Sequence, residues 1–135
     1  MPGYSGKPLS AKLGLKPDQV WYVIDAPDGY GEWLDPLPSG ATIRYSRVPS
    51  GAAAVHLFAT ERAKLTKRLA SLRKQVASDG FVWVSWPKKS SRVATDITED
   101  VIREVALPMD WVDIKVCAVS DVWSGLKLVI RREAR

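Results

Sequence analysis

Trp86-Pro87-Lys88-Lys89-Ser90-Ser91 is the stretch whose residue types could act together on a ligand. Two adjacent ammonium groups, two hydroxyls and the loop amides, set beside an indole, can hold a phosphate or a carboxylate. Asp28, Gly29, Gly31 and Thr60 join that crevice if the loops they occupy open on the same edge of a sheet. The competing account is that two neighbouring lysines do no more than keep a loop soluble. An enzymatic version uses the same residues, with Lys88 or Lys89 stabilising developing negative charge.

Other chemistry lacks its parts. His56 is the only histidine and lies inside the apolar run Ala53–Phe58, so it reads as a hydrogen-bonded core residue. There is no Gly-x-Ser-x-Gly elbow for a nucleophilic serine. The single Cys117 excludes an internal disulfide, and with one histidine the chain offers no metal-ligand set. Gly3-Tyr4-Ser5-Gly6-Lys7-Pro8 is too short for a phosphate loop and puts proline where the magnesium-binding hydroxyl belongs. Asp96, Glu99 and Asp100 gather at a helix start, where they serve capping and the helix dipole. Arg62, Lys64, Lys67, Arg68, Arg73 and Lys74 spread around their helix and form no single stripe, which speaks against a nucleic-acid track. Trp33 alone among the six tryptophans falls outside an expected strand.

The elements that would position these groups follow from periodicity. Val20–Ile24, Ala53–Phe58 and Phe81–Trp86 are short, continuous apolar runs, the pattern of strands buried on both faces. Ala41–Tyr45 predicts a short strand as well. Leu65, Leu69, Leu72 and Val76 recur at helical spacing and predict a helix over Thr60–Ala77, with Thr60 as cap and Gly80 beyond its end. Asp96-Ile97-Thr98-Glu99 resembles a capping box opening a second helix that runs to about Leu107. Ser10 predicts the cap of a short helix, and Glu32–Leu34 a brief turn cut off by Pro36 and Pro38. Trp111–Val119 and Val122–Ile130 are separated only by Ser120-Asp121, which requires an antiparallel hairpin, and Gly125 marks a bulge or close approach within it. Strands alternating with helices give a three-layer, Rossmann-like α/β sandwich with a mostly parallel sheet and a C-terminal antiparallel hairpin. Residues 1–17 read as an arm and residues 18–135 as one domain.

The totals fit that picture. The chain has 135 residues, 46% of them hydrophobic and 26% charged, and a net charge of +5. No apolar run approaches the roughly 20 residues that a membrane helix needs, and the N-terminus lacks the apolar core of a secretory signal, so the expected compartment is the cytoplasm.

Asp25-Ala26-Pro27-Asp28-Gly29-Tyr30-Gly31 after the first strand resembles the cofactor loop of class I methyltransferases, with Pro27 at the first glycine. Ala53–Phe58 and Phe81–Lys89 fall where those enzymes place their fourth and fifth strands, and the likeness spans roughly residues 12–131. It implies S-adenosylmethionine as cofactor and a carboxylate about 20 residues past the loop to grip the ribose. No Asp or Glu lies between Asp35 and Glu61, so the expectation is a degenerate site with no cofactor. The chain also resembles a bacterial family of small uncharacterised proteins. The residues that carry this are Tyr4–Leu9 with Leu13-Gly14, Ala26–Tyr30, Ser85–Lys89, Ala94–Asp100, and Val116–Val119 with Trp123–Lys127. That likeness implies no activity. The functional expectation is a non-catalytic domain that binds a small anion or a protein partner at the carboxyl edge of the sheet. The alternatives are a methyltransferase-like enzyme in the same crevice or a nucleic-acid-binding accessory.

Overall fold

Six strands make one sheet in the computed structural model, which describes residues 7–135. In chain order they are β1 (Val20–Ile24), β2 (Thr42–Arg44), β3 (Ala52–Phe58), β4 (Val76–Pro87), β5 (Trp111–Ala118) and β6 (Trp123–Ile130). Across the sheet the order is β2-β1-β3-β4-β6-β5. The first four run parallel, and β6 is antiparallel to both of its neighbours, so β5 points the same way as β4. The residues of the expected arm before Lys7, and with them most of the glycine-rich stretch at Gly3–Pro8, lie outside the described residues.

Helices cover both faces, which makes the three layers. The longest, α3 (Arg62–Gln75), buries Leu65, Leu69 and Leu72 against Val55, Leu57, Val82 and Val84 of the central strands. The helix α4 (Glu99–Ala106) adds Ile102, Val105 and Ala106 to the same cluster. Each of these leucines, isoleucines and valines contributes about 1.5–3 kcal/mol by leaving water. On the opposite face the short helices α1 (Leu9–Lys12) and α2 (Tyr30–Trp33) lead into Leu13 and Leu34, which pack with Trp21, Val23, Phe58 and Trp83.

Several ends differ from the sequence-based expectation. Thr98, not Asp96, caps α4, accepting a hydrogen bond from the Val101 amide. Thr60 does not cap α3: the helix starts two residues later, and the cap comes from a distant segment. The Arg62 amide donates to Asp96 Oδ1 at 2.6 Å, while Thr95 Oγ1 and the Asp96 amide both donate to the Thr60 carbonyl. The stretch before α4 is thereby laced onto the start of α3. Asp96→Ala should therefore cost about 1 kcal/mol, the usual worth of an N-terminal cap, read as a lower urea midpoint. Ser10 lies inside α1, and its hydroxyl donates to the Pro36 carbonyl at 2.9 Å. Gly125 marks a close approach; the irregular pairing lies between Asp113 and Lys115 on β5.

Between β3 and β4 the register passes from Ala52–Val76 to Ala54–Phe81, five residues on β4 against two on β3. Gly80 sits in this loop-out, where a Cβ would fall 2.9 Å from the Ala53 carbonyl oxygen.

Candidate functional site

Parallel direction fixes where the loops go. Ile24 lies level with Leu57, and Leu57 with Val84, so β1, β3 and β4 end on one rim. β5 ends there too and turns into β6. That rim gathers the loop after Asp25, the segment after Phe58, the lysine loop after Pro87 and the turn at 119–122.

A buried polar chain anchors the first of these loops. Trp21 Nε1 donates to Tyr30 Oη at 2.6 Å, Tyr30 Oη meets His56 Nδ1 at 2.7 Å, and His56 Nε2 meets Ser85 Oγ at 2.7 Å. An indole can only donate, so the phenol oxygen accepts from Trp21 and gives its own proton to His56. The imidazole is then the neutral form with its proton on Nε2, directed at Ser85. Burial lowers the His56 pKa to about 3 and pushes the Tyr30 phenol well above its ordinary range against the opposing hydrogen bond from Trp21. Phe58 stacks on the imidazole at 4.3 Å, and all four members of the chain are buried. His56 is thus the hydrogen-bonded core residue that its apolar run implied, and it has no opening to a reactant. The chain clamps the rim loop to β1, β3 and β4 through Tyr30, just beyond Gly29, which takes a left-handed φ of 81°.

Beside the clamp, on the α1–α2 face, lies a cavity of about 490 Å³. Leu9, Trp33, Val119 and Val122 supply its apolar wall. Glu32, Asp35 and Asp121 place carboxylates around it, against a single ammonium from Lys7. Trp33 heads a row of aromatic rings that continues through Tyr30 and Phe58 to Trp123, with centroids 5.9, 5.3 and 5.1 Å apart. A second cavity, of about 380 Å³, lies on the α3 face and is polar. Its Asp25 is paired with Arg68 at 3.4 Å and Lys64 at 3.6 Å, both well exposed.

The residues singled out from sequence are placed as follows. Trp86 is 8% exposed and packs in the α3–α4 core, on the face opposite the larger cavity. Lys89 and Ser90 are exposed in a short 3-10 turn, and Ser91 Oγ donates to the Lys88 carbonyl at 2.6 Å. The Lys88 amide donates to the Val122 carbonyl at 2.7 Å, which ties the lysine loop's backbone to the cavity wall. Asp28 and Gly29 are exposed on the first loop. Gly31 lies against the Tyr45 hydroxyl, 3.4 Å from where a Cβ would stand. Thr60 is engaged through its carbonyl beneath residues 95 and 96. The loops therefore share a rim, while the side chains of Trp86 and of the cavity face opposite ways. Glu32, Asp35, Val119, Asp121 and Val122 were not foreseen as a site. The one signal for them was Trp33, a tryptophan outside any strand.

The residues at the rim do not fit S-adenosylmethionine as the fold's enzymes hold it. β2 is followed by Tyr45-Ser46-Arg47, with no carboxylate for a ribose. Tyr45 takes up the space over Gly31, and the Asp25 carboxylate is already held by Arg68 and Lys64. Among the described residues no group of His, Cys, Asp and Glu is arranged to hold a metal, and no helix is long and apolar enough to cross a membrane.

No protein-family model matches the chain. No curated protein matches it in sequence. Solved structures do match in fold. A SAM-dependent methyltransferase from Aquifex aeolicus superposes with a TM-score of 0.60 at 11% identity, over 89% of this chain and 86% of that one. Magnesium protoporphyrin IX methyltransferase from Synechocystis PCC 6803, with bound SAM, gives 0.56 at 12% identity, over 91% and 74%. Aeropyrum pernix fibrillarin, with natively bound S-adenosyl-L-methionine, gives 0.56 at 10% identity, over 95% and 71%. The fold is that of these structures, two of them methyltransferases.

Proposed function

We propose that this chain, built on the methyltransferase fold, is a binding domain for a small amphipathic molecule that carries a positive charge. The cavity between α2, residues 7–9 and the β5–β6 turn is the binding site. One observation carries the reading: an apolar wall headed by Trp33, ringed by Glu32, Asp35 and Asp121 against Lys7 alone. An indole face attracts a cation through its quadrupole, and carboxylates at the edge of a partly dehydrated space add to that attraction. The volume of about 490 Å³ suits a small molecule with an aliphatic or aromatic body and an amine or sulfonium head. The sign of the ligand differs from the sequence-based expectation, because Glu32 and Asp35 on one segment meet Asp121 of another only in the fold.

A thermal-shift panel of aliphatic and aromatic amines beside phosphates and carboxylates tests this. The amines should raise the melting temperature, and Trp33→Ala should weaken the best of them by about tenfold, as expected for losing 1–2 kcal/mol of cation–π and apolar contact. Stabilisation by acids alone, abolished in Lys88→Ala/Lys89→Ala, would move the ligand to the lysine loop and make it an anion.

The fold likeness favours a second reading, a methyl-transferring enzyme at the same rim. It requires S-adenosylmethionine to bind. Equilibrium dialysis should show no saturable uptake, given the missing ribose carboxylate; saturation at micromolar concentration would put the enzyme first.

A further inference from the structure

Between α1 and the outer strand β5, positive charge collects with no carboxylate in the lining. Lys7, Lys12 and Lys115 line a cavity of about 380 Å³ between α1 and the outer strand β5, and none of its other lining residues is acidic. Lys115 Nζ donates to the Lys12 carbonyl at 3.1 Å, which holds that ammonium over α1. Lys127 on β6 lies over the Phe81 ring at 4.3 Å, and its Nζ stands 3.7 Å from the Cβ position of Gly14.

Lys127 is half-buried, and its pKa is lowered by burial first and then by Lys115 and Lys16. Among the described residues none of Lys7, Lys12, Lys16, Lys115 and Lys127 forms an ion pair, whereas Arg62, Lys64, Arg68, Arg103 and Arg131 each meet a carboxylate. Packing unpaired like charges together around a partly dehydrated ammonium costs free energy, and an anion placed among them offsets that cost.

We propose that this cavity binds a small phosphate-class polyanion, with Lys12 and Lys115 as direct contacts and Lys7 and Lys127 flanking. A compact ligand fits better than a nucleic-acid strand. The lysines converge on one concave space instead of forming a track, and Phe81 is covered by Lys127 and offers no free ring for base stacking. Lysine ammoniums serve as point charges for phosphate oxygens. The site is separate from the cavity at Trp33, with which it shares only Lys7.

Titration calorimetry of the full chain with inorganic tripolyphosphate at low salt should give saturable one-to-one binding. Lys12→Gln/Lys115→Gln should weaken it by at least about tenfold, whereas Lys88→Gln/Lys89→Gln should change it by less than about twofold. Ala11→Glu, which keeps a helix former on α1 and sets a carboxylate into the cavity, should abolish binding and the accompanying thermal stabilisation while leaving amine binding near Trp33 intact. No saturable heat in the wild type, or equal losses in both lysine pairs, would overturn the proposal. So would a single-stranded oligonucleotide binding more tightly than tripolyphosphate, which would make the surface a nucleic-acid one.

Discussion

Tyr30→Phe is expected to lower the unfolding free energy by about 2–4 kcal/mol, because it leaves two buried polar groups without partners at about 1–3 kcal/mol each. One oxygen atom is removed, yet the Trp21 indole N–H and His56 Nδ1 both lose their partner, at 2.6 and 2.7 Å, in a place no water reaches. The urea midpoint should fall with the slope unchanged, the mark of lost stability without a change in compactness. A shift below about 1 kcal/mol would mean that the hydroxyl is not the link between indole and imidazole. The same chain sets an acid limit. Folded His56 takes a proton only near pH 3, whereas an unfolded histidine takes one near 6.5. Between those values the unfolded chain binds more protons, so stability is full above 6.5 and declines as the pH falls towards 3. The steepest decline is about 1.4 kcal/mol per pH unit. His56→Gln should remove that part of the slope while lowering stability at neutral pH.

Gly125→Val should cost about 3 kcal/mol, the upper end for forcing extra carbons into a packed interior. Gly125 pairs with Ser85 on one side and Cys117 on the other, in the middle of the antiparallel part of the sheet. Even a single Cβ there would stand 3.1 Å from the Trp83 ring, 3.1 Å from Val119 Cγ2 and 3.4 Å from Ser85 Oγ. All three neighbours are buried and cannot swing aside. Ser85 is also the far end of the His56 chain, so pushing it away strains a second set of bonds. Gly125→Ala should fall about midway, and denaturant titration of the three proteins would show the order.

What the sequence disclosed was whatever a local period can carry. Val20–Ile24 is the strand the apolar run implied, and the Leu65–Leu69–Leu72 stripe is the buried side of α3. Hairpin geometry followed from the shortness of Ser120-Asp121, and the shared rim followed from parallel direction. The rest depends on partners far apart in the chain. Asp96 caps α3 from 34 residues away, and Tyr30 meets His56 across 26. A strand buried on both faces hides which way each side chain points, so Trp86 gave no sign that it turns into the α3–α4 core. The cavity at Trp33 draws on three segments, none of which is unusual alone.

The place of β6 bears on how the chain comes together on the ribosome. This strand wedges between β4 and β5, and among the described residues β5 has no other ladder partner. Until Trp123–Ile130 has emerged from the exit tunnel, Trp111–Ala118 lacks its partner among these strands and β4 shows a bare edge to its surroundings. Closure of the nascent sheet must wait for the last of the six strands to be made, and through that interval the unpaired edge of β4 is open to pairing with another chain.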